Sequence, residues 1–180
     1  MGSALVLIDL QNDYFADGEL ARCRDDLVAH CDLLVERARA AGVPVVEVQT
    51  VHRRDRSTWA LNMLEDGRGL AFEGEPGGAR LDGLAAADVV VRKTRDSAFH
   101  RTELLDVLRA RDVDELVLAG VSTESCIAAT ATDAYAHDLR VVLVSDATAS
   151  VEWRLHEETL DRLRQQYRQP AVASEDVRFA

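Results

Sequence analysis

The stretch Glu115-Leu-Val-Leu-Ala-Gly-Val-Ser-Thr-Glu-Ser-Cys126 decides the fold. Its first five residues form a short aliphatic run that reads as a buried strand. A tight turn follows, and helical spacing then runs through 124–137 before a second aliphatic run, Arg140-Val-Val-Leu-Val144. A strand, a helix and a strand in this order imply parallel pairing through a right-handed crossover.

The same rhythm extends in both directions. Towards the amino terminus, Ala4-Leu-Val-Leu-Ile-Asp9 reads as a strand. Apolar residues at 27, 31, 34, 38 and 41 then mark one face of a helix over Asp25–Ala41, which Gly42 is placed to end. Val43–Val48 and Asp88–Val91 read as further strands, with a short helix over 101–110 that turns Leu104, Leu105 and Leu108 inward. Towards the carboxyl terminus, a helix over 152–167 and a short strand at 171–173 complete the pattern. The reading is a single α/β domain over 1–180. Its architecture is a doubly wound, mainly parallel six-stranded sheet with helices on both faces. Such sheets place their sites outside the carboxyl ends of the strands. Residues 50–87 break the rhythm, being irregular and containing Gly67, Gly69, Gly74, Gly77 and Gly78. A loop of that length reads as a lid, a specificity loop or an oligomer contact.

Composition narrows the classes of function. Of 180 residues, 47% are hydrophobic, enough for one core that buries roughly two thirds of the unfolded surface. A net charge of −11 repels phosphate backbones and anionic lipid, so neither nucleic acid nor membrane is an expected partner. The run Ala4–Ile8 is stopped by Asp9 and follows no basic segment, so it does not read as a leader. Three cysteines (Cys23, Cys31 and Cys126) are an odd number without a CxxC pair. That pattern fits neither a disulfide framework nor a zinc site, and a cytoplasmic setting is expected.

Three residues stand out chemically. Asp9 ends an aliphatic strand, where it is either a turn-forming carboxylate or a buried general acid or base. Lys93 follows Val89-Val-Val91 at a second strand end, and matters only if it faces a carboxylate. Cys126 lies in the first turn of a helix that Thr123 is placed to cap. There the helix dipole is expected to lower its thiol pKa, and free amides are available for an oxyanion. Cys31, on the apolar face of its helix, reads as a small core residue. Carboxylate, lysine and thiol meeting at one sheet edge would make a nucleophilic amidase.

Four segments carry a resemblance. They are Leu7-Ile-Asp-Leu-Gln-Asn-Asp-Tyr14, Arg92-Lys-Thr-Arg-Asp-Ser-Ala-Phe99, Gly120–Ala134 around Cys126, and Val142-Leu-Val-Ser-Asp-Ala147. In this order the chain resembles the isochorismatase-like cysteine hydrolases, which include nicotinamidases, carbamoylsarcosine amidases and ureidoacrylate-type amidohydrolases. The resemblance implies a catalytic triad of Asp9, Lys93 and Cys126. It also implies a cis peptide between Val121 and Ser122, and an oxyanion hole built from the amides of Ser122 and Cys126. The implied activity is hydrolysis of a C–N bond in a small amide or ureido compound through a thioester. No cofactor is implied, and a homodimer or homotetramer is.

Departures from the family pattern narrow the expectation. Nicotinamidases carry an Asp-x-His metal-binding pattern where this chain has Gln49-Thr-Val-His52, so Thr50 replaces the aspartate and no metal is expected. His52 reads as a polar loop residue, and His30, His137 and His156 as surface or capping groups. Tyr14, Trp59 and Phe99 are the expected aromatic contacts for substrate, with Phe72 nearby. The rival readings are an isochorismatase-type vinyl ether hydrolase or tailoring enzyme, and a non-enzymatic binding protein on the same fold.

Overall fold

The computed structural model describes residues 2–180. Its strands are β1 (Gly2–Ile8), β2 (Val45–Thr50), β3 (Val89–Lys93), β4 (Val113–Val121), β5 (Arg140–Ala149) and β6 (Ala171–Val172). Its helices are α1 (Gly18–Ala40), α2 (Leu61–Asp66), α3 (Leu104–Arg109), α4 (Ala128–Ala136) and α5 (Trp153–Tyr167). The sheet order is β3-β2-β1-β4-β5-β6, and every neighbouring pair is parallel. The chain winds outward from β1 to β3, then restarts at β4 on the other side of β1. The reversal point therefore lies between β1 and β4, where a crevice opens at the carboxyl ends.

Side-chain alternation divides the core. Ala4, Val6 and Ile8 of β1 face one side, with Val46, Val48, Leu116 and Leu118, and pack on Leu104, Leu108, Ala131, Leu160 and Leu163 of α3, α4 and α5. Leu5 and Leu7 face the other side, with Val45, Val117 and Ala119, and pack on Leu27, Cys31, Leu34 and Val35 of α1. Helices thus cover both faces, and β1 is continuously aliphatic because neither of its faces meets water.

The elements depart from the sequence reading mainly at their ends. Helix α1 begins at Gly18 rather than Asp25, because Leu20 is buried and extends the apolar stripe by about two turns. Strand β3 continues through Lys93, which is thus its last residue and not one beyond it. Strand β5 reaches Ala149, with a register shift against β4 between Leu118 and Gly120. The 50–87 stretch contains α2 and a short turn at Pro76–Gly78. It is pinned to the segment after β1: Asp13 Oδ2 accepts from the Ala71 amide at 2.7 Å, and Asn12 Nδ2 donates to the Pro76 carbonyl at 2.8 Å. Among the described residues, no helix is long and apolar enough to cross a membrane.

Gly120 sets the approach of β4 to β1. Its φ is +117°, and an added Cβ would lie 2.0 Å from the Ile8 carbonyl oxygen, a backbone atom that cannot move aside. Gly120→Ala should therefore cost about 3 kcal/mol or more. Urea denaturation checks this, and a variant within 1 kcal/mol (roughly the ordinary effect of a point mutation) would contradict the close-approach argument.

Candidate active site

The site is assembled from the ends of β1, β2, β3 and β4. Asp9 leaves β1 with φ +54°, a left-handed conformation uncommon for a residue with a side chain. Its amide donates to the Val48 carbonyl at 2.9 Å, which holds it against β2. Oδ1 of its carboxylate accepts from the Thr50 amide at 3.0 Å and from Thr50 Oγ1 at 2.9 Å. Oδ2 lies 2.8 Å from Lys93 Nζ. Thr50 ends β2 directly opposite Lys93 in the parallel register, which brings the lysine head back across β2 towards β1. Lys93 Nζ also donates to Thr50 Oγ1 at 2.8 Å and to Cys126 Sγ at 3.2 Å. Asp9, Lys93 and Cys126 are 0%, 2% and 4% exposed, so a carboxylate, an ammonium and a thiol meet out of bulk water.

Cys126 sits in a π-helical turn, Thr123–Ile127, which continues into α4. The peptide bond between Val121 and Ser122 is cis. The carbonyl of Ser122 receives the amides of Ser125 and Ile127, both at 3.1 Å, which closes the turn around the cysteine. Thr123 does not cap it: its Oγ1 is paired with His156 Nδ1 at 2.8 Å, and Ser122 stands at the cap position without a side-chain cap bond. Here the larger spacing of the turn redirects the threonine towards α5.

The thiol of Cys126 is pushed up from its usual value, first by burial and then by the charge of Asp9, with Lys93 opposing. This corrects the expectation that the helix dipole lowers it. In a dry site next to a carboxylate, removing a solvation shell outweighs the partial charge at a helix end. Burial alone would push the Lys93 ammonium down, but its interactions with Asp9 first and then Cys126 outweigh it and hold the group above its usual value. The resting arrangement is therefore a neutral thiol beside an ion pair. Burial, reinforced by Asp9 and Cys126, likewise keeps the Tyr14 phenol protonated.

A cavity of about 170 Å³ opens on these groups, lined among others by Tyr14, Thr50, His52, Asn62, Arg95 and Asp96. At about 30 Å³ per water molecule it suits a small ligand. The 50–87 stretch supplies Ala60, Asn62, Met63 and Leu70 to its wall. Of the three aromatic residues expected to contact substrate, Tyr14 lines the cavity and the other two do not. Trp59 packs with Met63 and Phe72 in a satellite cluster, its Nε1 donating to the Arg53 carbonyl at 2.9 Å. Phe99 packs on the main core and against His137, 5.1 Å between ring centroids. Each ring is taken up by its cluster partners instead. His52, read as a polar loop residue, is 3% exposed, paired with the Thr58 carbonyl at 3.1 Å, and kept neutral chiefly by burial. His156 is half-buried against the π-turn rather than at the surface. Arg95 and Asp96, two and three residues past Lys93, also escaped the sequence reading, although their place after a strand end was a usable signal. Cys31 is fully buried, with burial pushing its thiol up to about 12, and so belongs to the core.

Removing only the cation tests the pairing. Lys93→Met leaves the Asp9 carboxylate buried without a counter-charge and should cost about 3–5 kcal/mol, much of it recovered by adding Asp9→Asn. Because the folded lysine is held above its usual value, its contribution is fully present below the unfolded value of about 10.4 and is lost as pH rises beyond it. Urea denaturation between pH 7 and 11 measures both effects. Equal stability of single and double variants would show that the two charges do not depend on each other.

Comparison with known proteins identifies the family. The Isochorismatase domain family matches residues 3–175. A protein of Arabidopsis thaliana named as a probable inactive nicotinamidase is 34% identical over 164 residues, covering 86% of this chain and 84% of that relative. Maleamate amidohydrolase of Pseudomonas putida is 32% identical over 179 residues, covering 91% and 80%. The crystal structure of N-carbamoylsarcosine amidase from Thermoplasma acidophilum superposes with a TM-score of 0.82 at 28% identity, over 98% of this chain and 99% of that one. With its six-stranded parallel sheet and a match spanning nearly its whole length, the chain belongs to the isochorismatase family, whose members include amidohydrolases acting on C–N bonds.

Proposed function

We propose that the protein is a cysteine amidohydrolase that cleaves the C–N bond of a small amide or ureido compound. The observation that carries this reading is the contact among Asp9, Lys93 and Cys126 at the floor of a small cavity. Asp9 takes the thiol proton as Cys126 Sγ attacks the carbonyl carbon, forming a C–S bond and a tetrahedral oxyanion. The amides of Ser122 and Cys126 receive that oxyanion beside the turn. Asp9 then delivers the proton to the departing nitrogen, the C–N bond breaks, and ammonia or an amine leaves a thioester on Cys126. Water, giving its proton to Asp9, attacks the thioester, and the returning proton restores the thiol as the acid leaves. Lys93 stays protonated throughout, holding Asp9 and stabilising the sulfur whenever it carries charge. A neutral resting thiol suits this sequence, since the base is built into the site and needs no solvent-exposed thiolate.

Names of relatives support the reaction class, among them a maleamate amidohydrolase and an N-carbamoylsarcosine amidase. Ammonia release from maleamate, N-carbamoylsarcosine, nicotinamide and a panel of small primary amides and ureas tests the proposal. At least one should be turned over, with Cys126→Ala and Asp9→Asn each lowering kcat by roughly 10³-fold or more. Full turnover by either variant, or none of the panel cleaved by the unmodified protein, would overturn it.

A further inference from the structure

We infer that Thr50 is a positioning residue of this site, clamping Asp9 so that one carboxylate oxygen is left as the base. The inference rests on the amidohydrolase reading and adds a residue to it. Thr50 is 4% exposed and lies on the cavity wall between the ends of β1 and β3. It supplies Asp9 Oδ1 with two donors, its amide at 3.0 Å and its hydroxyl at 2.9 Å. With its one proton committed to Asp9, the same hydroxyl accepts from Lys93 Nζ at 2.8 Å. Those bonds occupy Oδ1 and fix the plane of the carboxylate. Oδ2 is fully buried, with the Lys93 ammonium beside it. It is the oxygen that remains to take the proton of Cys126.

The clamp is itself held. Gln11 is fully buried and grips the Thr50 peptide from both sides, its Oε1 accepting from the Thr50 amide at 2.9 Å and its Nε2 donating to the Thr50 carbonyl at 2.9 Å. The remaining proton of Nε2 reaches the Gly78 carbonyl at 2.8 Å, so the 50–87 stretch is tied to the same point. Thr50 is thus set by β2, by Gln11 and by its register with Lys93, and it passes that order to the acid–base pair.

Thr50→Val keeps the shape and the backbone donor and removes only the hydroxyl. On the panel amide that the unmodified protein turns over, its kcat should fall about 10–100-fold, the scale of a misaligned catalytic group, with KM unchanged within about threefold. Thr50→Ser, which restores the hydroxyl, should recover kcat to within about threefold of the unmodified protein. If Thr50→Val does not fold by circular dichroism, Thr50→Ala takes its place in the comparison. A valine or alanine variant with kcat within twofold of the parent, or a serine variant as slow as the valine, overturns the role of Thr50. Normal Thr50→Val turnover alongside silent Asp9→Asn overturns only that role. A protein inert towards the whole panel, or an active Asp9→Asn, overturns the amidohydrolase reading and this inference with it.

Discussion

A lysine ammonium and an aspartate carboxylate 2.8 Å apart, both shut away from solvent, are the constraint on which the site depends. Burying either charge alone costs several kcal/mol, so each needs the other and a full set of hydrogen bonds. That requirement explains why four strand ends converge here. β1 delivers Asp9, β3 delivers Lys93, and the intervening β2 delivers Thr50 to fill the gap between them. β4 brings Cys126 to the remaining side of the ammonium. The reversal point of the sheet is where a crevice exists for such groups to gather; elsewhere a helix covers the strands.

The pair also decides the state of the sulfur. Burial and the neighbouring carboxylate keep the Cys126 thiol protonated, and the ammonium limits that effect. A thiol protected in this way is of use only when a base lies within reach and a cation can receive the thiolate as it forms. The contrast with Cys31 is informative. It is equally buried and also held neutral, but it faces the Ala147 carbonyl at 3.8 Å with no cation beside it. The two thiols differ in their neighbours and not in their burial.

Much of this was legible along the chain. The aliphatic runs ending at Ile8, Val48, Ala119 and Val144 named the central strands, since parallel strands covered on both faces must be apolar throughout. Asp9 stood out because a carboxylate ending an aliphatic strand is costly to bury unpaired, Lys93 because it follows a second strand end, and Cys126 because it lies at the start of a helix. Trp59 and Phe99 were misplaced because an aromatic ring in an irregular segment carries no periodicity to say which way it faces. The burial of His52 escaped the sequence reading for the same reason. Thr50 drew notice only as a missing aspartate; its partners lie 41 and 43 residues away, visible only once β2 is in register.

By itself, then, the amino-acid sequence determined the order of strands and helices, the two-sided burial of the sheet and the three residues with unusual chemistry. These follow from local periodicity and from the cost of placing a charge in an apolar run. Tertiary structure alone decided which oxygen of Asp9 is occupied, which way Thr123 turns, whether the cysteine rests as thiol or thiolate, and which side chains of the long loop reach the cavity. Those depend on distances between residues remote in the chain and on exclusion of water, neither of which local spacing encodes.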